Sequence, residues 1–359
     1  MKFQEIEIVQ KAEEQLRKTL ERVPFIEVGS TRFEQPNEQA ILFQPDLLMQ
    51  ISSPDGPVTL VVEVKSALTP KAAREASRQL ASLAAMIPAG YGVLVAPYIS
   101  ERSAEVCREA GVGYMDLAGN HGLYFERVFL ELQGRPNPFK KEQGIKSLFS
   151  PKSSRAVRVM LENPERIWKT QTLAQEASLS TGMISNIKSR LEEQELVRKE
   201  PGGFRLIEPE TLLMEWSKKY TVRKNKWSDY YLPDDVPAIE SKIAESLKKL
   251  KQQYAFTLFS AANKVAPFAR YQRVFLYVNG DQSSVVEELG LKPVESGPNV
   301  TILQPYDEGV FYGGKEMQGQ FIVGPVQLYI DLLSYKGRGE DAASFLLENT
   351  LRKKWQKNL

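Results

Sequence analysis

Cysteine and histidine are nearly missing from this chain, with one of each, Cys107 and His121, among 359 residues. A structural zinc site needs several Cys or His ligands, so none can be built. A hydrolase triad would have to use His121, which sits in Ala-Gly-Asn-His-Gly and reads as a turn residue. No Gly-x-Ser-x-Gly nucleophile elbow accompanies it. Any hydrolytic chemistry therefore falls to carboxylates, lysines and a divalent metal. Net charge is scarce too: 47 Lys and Arg against 45 Asp and Glu leave +2. Affinity for nucleic acid has to come from local basic patches, not from a global field. No basic stretch followed by an apolar run opens the sequence, so no secretory signal is expected. The one long uncharged stretch, Gln79 to Ile99, is interrupted by Pro88, Gly90, Gly92 and Pro97. It reads as a helix end, a loop and a buried strand, and not as a membrane span. The expectation is a soluble, cytoplasmic protein with no membrane partner.

What is present divides by pattern into a multidomain α/β chain, because this length exceeds one ordinary core. Residues 1–133 mix helices and strands. Apolar residues at Phe3, Ile6, Val9, Ala12, Leu16, Leu20 and Val23 predict a first helix. Strands are expected at 46–51 and 58–65, with Ser-Ser-Pro-Asp-Gly as the turn between them. A helix from Thr69-Pro70 to Met86 follows, then a strand at 92–96, a helix at 100–110, and strands at 113–117 and 123–131. Alternating strands and helices define an α/β domain. Residues 134–152, rich in Pro, Gly, Ser and Lys, read as a linker. Residues 153–208 are mainly helical. Residues 209–359, entered through Lys218, Lys219, Arg223, Lys224 and Lys226, form a second α/β or α+β domain. Its strands are expected near 274–278, 300–303 and 320–322, and its helices near 238–250 and 342–355.

The middle region carries the clearest functional pattern, a winged helix-turn-helix. A helix over 155–162 is followed by Thr170 to Ala177, the turn Ser178-Leu179-Ser180, and a helix over 181–194. Leu173, Ala174, Ala177, Leu179, Ile184, Ile187 and Leu191 would share a core. Thr181, Ser185, Asn186, Lys188, Ser189 and Arg190 are left on or near the open face. A recognition helix needs polar and basic side chains of this kind to enter the major groove of double-stranded DNA. Leu-Val-Arg-Lys-Glu-Pro-Gly-Gly-Phe-Arg-Leu then reads as a hairpin wing, offering Arg198, Lys199 and Arg205 to phosphates.

The first region offers a different chemistry. In the hairpin register that sets Asp46 opposite Glu63, the two carboxylates share a face of the sheet. Lys65, two residues along, shares it as well. Mg²⁺ binds through one or two carboxylates and keeps several waters, one of which could attack a phosphodiester. Pro45-Asp46 followed by Glu63-Val64-Lys65 resembles the PD-(D/E)XK nuclease signature, in an element order similar to the restriction-endonuclease-like fold. The resemblance implies that Asp46 and Glu63 hold the metal and that Lys65 assists the nucleophilic water. It implies a supporting role for Gln79, with Glu13 as a candidate first-helix counterpart.

The C-terminal half carries a second resemblance. Tyr254 to Pro267, Arg273 to Gly280, Pro298 to Phe311 and, above all, Val326-Gln-Leu-Tyr-Ile-Asp-Leu332 with Arg338-Gly-Glu-Asp-Ala-Ala343 downstream are similar to AbiEi-type antitoxins of type IV toxin–antitoxin systems. This likeness, taken over 153–351, implies a bacterial transcriptional regulator that counters a nucleotidyltransferase toxin. By contrast, Tyr312-Gly-Gly-Lys315 lacks the spacing of a phosphate-binding loop and reads as a turn. The basic tail Arg352-Lys353-Lys354-Trp355 reads as a solvated helix end or a phosphate contact. Two functions stand side by side: a DNA-binding regulator with a nuclease-like first domain, and a Mg²⁺-dependent DNA endonuclease targeted by its winged helix.

Overall fold

The computed structural model describes residues 5–33, 44–139, 148–265, 271–335 and 337–356. It is a mixed α/β structure with several sheets. The chain divides into two compact units, one essentially residues up to 144 and the other essentially residues from 145 onward. Phe3 of the expected first helix, part of the expected linker, and the tail beyond Gln356 lie outside the described residues.

The first unit consists of α1 (Glu5–Leu20), β1 (Glu27–Phe33), β2 (Leu47–Ser53), β3 (Gly56–Val64), α2 (Pro70–Met86), β4 (Gly90–Ala96), α3 (Glu101–Glu109), β5 (Gly113–Asp116), β6 (His121–Phe125) and β7 (Val128–Leu132). The seven strands lie side by side in chain order. β1, β2 and β3 are antiparallel, β3, β4 and β5 parallel, and β5, β6 and β7 antiparallel again. Alternation along β3 sends its residues to opposite layers. Val58, Leu60, Val62 and Val64 pack with Ile8, Ala12, Leu16 and Leu20 of α1. Val61 faces the other way, into the layer of α2 and α3 with Ala73, Leu80, Leu94 and Cys107. Pro70 opens α2, and the Thr69 side chain accepts a hydrogen bond from the Ala72 amide. The α2–β4 approach is close enough to require glycine: a Cβ at Gly92 would come 2.9 Å from Leu80 Cγ.

In the first unit two elements differ from the sequence reading. β1 was not anticipated; most of its residues are exposed, so its sequence carries little apolar alternation. The strand expected over 123–131 is a hairpin, turning at Glu126 with φ +50° and without glycine.

The second unit runs through α4 (Pro151–Glu162), α5 (Thr170–Glu176), α6 (Thr181–Glu193), β8 (Val197–Glu200), β9 (Gly203–Leu206), α7 (Pro209–Ser217), β10 (Lys226–Tyr231), α8 (Val236–Lys249), β11 (Tyr254–Phe256), α9 (Leu258–Val265), β12 (Val274–Val278), α10 (Ser283–Leu289), β13 (Lys292–Pro293), β14 (Val300–Gln304), β15 (Lys315–Met317), β16 (Gln320–Ile322), α11 (Pro325–Leu333), α12 (Arg338–Leu346) and α13 (Arg352–Gln356). A π-helical stretch, Leu347–Leu351, joins the last two helices. The large sheet has the order β13-β10-β14-β12-β11-β16-β15. Tyr312 and Gly313 form the turn leading to β15.

One hydrophobic core extends from Phe149 to Trp355, so the stretches read as 153–208 and 209–359 share their interior. α4 is the element that joins them. It is buried on almost every side, including Arg158 at 1% exposure and Glu162 at 4%. Glu162 Oε1 accepts from the Val326 amide at 3.0 Å, and Lys354 Nζ donates to Glu162 Oε2 at 2.8 Å. Trp355 is buried and donates through Nε1 to the Leu161 carbonyl at 3.1 Å, while Arg352 pairs with Glu210. Arg352, Lys354 and Trp355 of the basic tail are thus tied to the body of the unit, while Lys353 stays exposed. The tail is stapled to α4, because the indole brings enough apolar area to pull the end of the helix inward.

Candidate functional site

The helix pair α5–α6 is set by its own apolar spacing. Leu173, Ala174 and Ala177 bury against the same interior as Ile184, Ile187 and Leu191. The turn is tight: Ser178 adopts φ +53°, and the Leu179 amide donates to the Ala174 carbonyl at 2.9 Å. Ser180 Oγ accepts from the Met183 amide at the start of α6. Thr181, Ser185, Asn186 and Ser189 are left exposed, and Lys188 and Arg190 are half-buried. Lys188 lies along the hairpin, its Nζ 5.3 Å from the Phe204 ring centre and 3.8 Å from Glu192 Oε1.

β8 and β9 pair from Val197↔Leu206 to Glu200↔Gly203, turning at Pro201-Gly202. Trp168 adds a third, one-residue rung by exchanging backbone hydrogen bonds with Phe204 at 2.8 and 3.0 Å. Gly203 is needed there, since a Cβ would come 2.2 Å from the Trp168 carbonyl oxygen. The hairpin's cations are less available than the sequence implies. Arg198 and Arg205 both pair with Glu200, at 3.1 and 2.9 Å. The hydrogen bonds from Arg205 and Arg198 pull the Glu200 carboxyl below its usual range. The Arg198 side chain is 60% exposed and that of Arg205 only 22%; Lys199 is exposed.

In the first unit, β2 and β3 pair from Leu47↔Val62 to Ser53↔Gly56 across a two-residue turn at Pro54-Asp55. One step further in this register, Asp46 stands opposite Glu63. The Asp46 amide donates to the Val62 carbonyl at 2.9 Å, and Asp46 Oδ2 accepts from the Val64 amide at 2.6 Å. Glu63 is 5% exposed and Lys65 Nζ donates to its Oε1 at 2.5 Å. Alternation puts Asp46, Glu63 and Lys65 on the α2 face of the sheet, with Val61. Gln79 is exposed on α2. Glu13 is elsewhere: it belongs to α1 on the opposite face and accepts from Arg17 and Thr31. Among the described residues no group of three or more His, Cys, Asp or Glu is placed to hold a metal ion. The Asp46–Glu63 pair by itself offers two carboxylates on one face, the number that Mg²⁺ takes from a protein when waters complete its shell.

The sequence reading missed a buried polar relay in the second unit. Arg158 donates twice to Gln327 Oε1, at 3.1 and 2.6 Å, and Gln327 Nε2 donates to Asp331 Oδ1 at 2.8 Å. Tyr220 and Thr257 each donate to Asp331 at 2.5 Å, and Tyr277 donates at 3.0 Å. Gln327 and Asp331 lie four apart inside the apolar run of α11, a spacing that stacks them on one helix face. That spacing was the available signal.

Residues 205–352 match a family described as transcriptional regulator, AbiEi antitoxin, type IV toxin–antitoxin system. The match begins within β9 and leaves α4, α5 and α6 outside it. No curated protein and no solved structure matches the chain. Among the described residues no helix is long and apolar enough to cross a membrane.

Proposed function

We propose that this protein is a DNA-binding transcriptional regulator of AbiEi-antitoxin character, in which α4 to β9 form a winged helix-turn-helix. The observation that carries the reading is α6, with its polar open face, built into one core with the segment that resembles the antitoxin family. Thr181, Ser185, Asn186, Lys188 and Arg190 would face the major groove, with Arg198, Lys199 and Arg205 at the wing. Double-stranded DNA and a nucleotidyltransferase-type toxin are the partners, and the cytoplasm is the compartment. Lys188→Ala together with Arg190→Ala should weaken duplex binding more than about tenfold in a gel shift. Unchanged affinity would remove α6 as the recognition helix.

A second reading is favoured by the Asp46–Glu63–Lys65 arrangement: the first unit is a PD-(D/E)XK nuclease fold that cuts DNA. The β2–β3 hairpin between α1 and α2, with β4 following, supports the helix–hairpin–helix–strand order that the resemblance implies, and β1 is an additional strand. Asp46 and Glu63 would hold Mg²⁺, Lys65 would orient the attacking water, and Gln79 would support it. Bound Mg²⁺ would supply a water of lowered pKa. The test incubates the protein with supercoiled plasmid in Mg²⁺, Mn²⁺ or EDTA beside a Glu63→Ala/Lys65→Ala control. Metal-dependent cutting absent from the control makes the protein a guided nuclease. No cutting, with duplex still bound in EDTA, leaves the regulator.

A further inference from the structure

The wing of the second unit spends much of its charge internally, with two of its three cations committed to Glu200. A different stretch does not. Lys218, Lys219, Arg223, Lys224 and Lys226 are all exposed, and residues 216–228 contain no Asp or Glu. Among the described residues none of the five forms an ion pair, and neither does the exposed Lys152 in the first turn of α4. Lys218 and Lys219 sit at the negative end of α7, which accounts for part of their placement. Arg223, Lys224 and Lys226 have no such compensation.

These charges are also fixed in place. Arg223 and Lys224 lie on a single 3₁₀ turn, Val222–Lys224, anchored at both ends. Val222 is fully buried and its amide donates to Ser334 Oγ at 3.0 Å. Asn225, also buried, donates to the Val222 carbonyl at 2.8 Å and accepts from the Tyr306 amide at 3.1 Å. Aromatic rings hold two of the cations: the Arg223 guanidinium lies 4.1 Å over Trp227 and the Lys219 ammonium 5.0 Å over Phe149. Phe149 directly precedes the cap of α4, so Lys152 is a near neighbour. Like charges held on a rigid turn repel one another; the negative charge of a polyanion relieves that repulsion, and its condensed counterions are released on binding.

We propose that the strip 218–226, with Lys152, is a second DNA-binding surface that takes the phosphate backbone without reading bases. The inference rests on the reading of the protein as a DNA binder. Regularly spaced phosphates suit five cations with no interleaved acid, whereas an acidic protein partner would place its carboxylates singly.

Fluorescence anisotropy on a short duplex of arbitrary sequence, across a series of KCl concentrations, tests it with the full chain. The variant Lys219→Gln/Arg223→Gln/Lys224→Gln/Lys226→Gln should bind more than about tenfold more weakly. Its slope of log affinity against log salt should be shallower by about three to four, near 0.9 for each phosphate that is no longer neutralised. Replacing the three lysines by arginine should keep the wild-type slope, which separates loss of charge from loss of fold. A glutamine variant with wild-type slope and affinity, while the Lys188→Ala/Arg190→Ala protein is weakened, overturns the strip and leaves α6 standing. A wild-type chain that binds no duplex overturns both. Loss of binding to poly-glutamate with duplex binding unmoved assigns the strip to an acidic protein and overturns the proposal.

Discussion

Asp331 is wholly buried, and burial pushes its carboxyl up to about 6 against hydrogen bonds from Thr257, Tyr220, Tyr277 and Gln327 that pull it down. An acid whose pKa is higher folded than unfolded holds its proton more tightly in the native state. Its contribution to stability is therefore greatest below its ordinary 3.8, falls as pH rises towards about 6, and is level above that. The span corresponds to about 3 kcal/mol. Asp331→Asn should shrink the difference in urea midpoint between pH 4.5 and pH 7 relative to wild type; an unchanged difference would mean that Asp331 does not titrate in that window. The amide of Gln327 makes a separate contribution, accepting from a cation and donating to an anion. Gln327→Leu leaves Arg158 and Asp331 buried without that bridge and should cost about 3–5 kcal/mol in urea unfolding, as breaking a buried ionic network does. A loss below about 1 kcal/mol would show that Arg158 finds another acceptor.

The hairpin β8–β9 holds its own brake. Glu200 occupies Arg198 and Arg205 and adds a negative charge to the surface proposed to meet phosphates. Glu200→Gln should therefore tighten duplex binding several-fold at low salt, measured by anisotropy, and steepen its salt dependence. Weaker binding would mean instead that Glu200 orients the two arginines. This pairing could not be read from Arg198, Glu200 and Arg205 as letters. Residues two apart share a face of a strand, but which cross-strand neighbour competes depends on a register that only the Pro201-Gly202 turn sets. Where a local rule is strong, the sequence was legible. The apolar spacing of α5 and α6 follows from one, whereas the register that brings Asp46 opposite Glu63 was one of those the letters left open, and the two-residue turn at Pro54-Asp55 sets it. β1 was illegible because an exposed strand need not alternate, and Arg158 because its charge masks a position inside the core. The polar identity of Gln327 and Asp331 was visible, but their partner on α4 lies more than a hundred and fifty residues away.

Because α4 buries nine residues, five of them in an apolar core shared with α7, α11 and α13, the second unit is one cooperative body. A fragment spanning 209–356, cut at the boundary that the sequence suggests, should fail to give a cooperative thermal transition, whereas 145–359 should melt as a single unit. A folded 209–356 fragment, seen by dispersed amide resonances, would refute the shared core. The same staple has a consequence for the order in which the protein is made. α5 and α6 leave the ribosome early, yet the interior beneath α4 is closed by Lys354 and Trp355, which emerge almost two hundred residues later. A nascent chain stalled before residue 355 lacks that closure, so the proposed recognition helices should pack fully only once Trp355 has emerged.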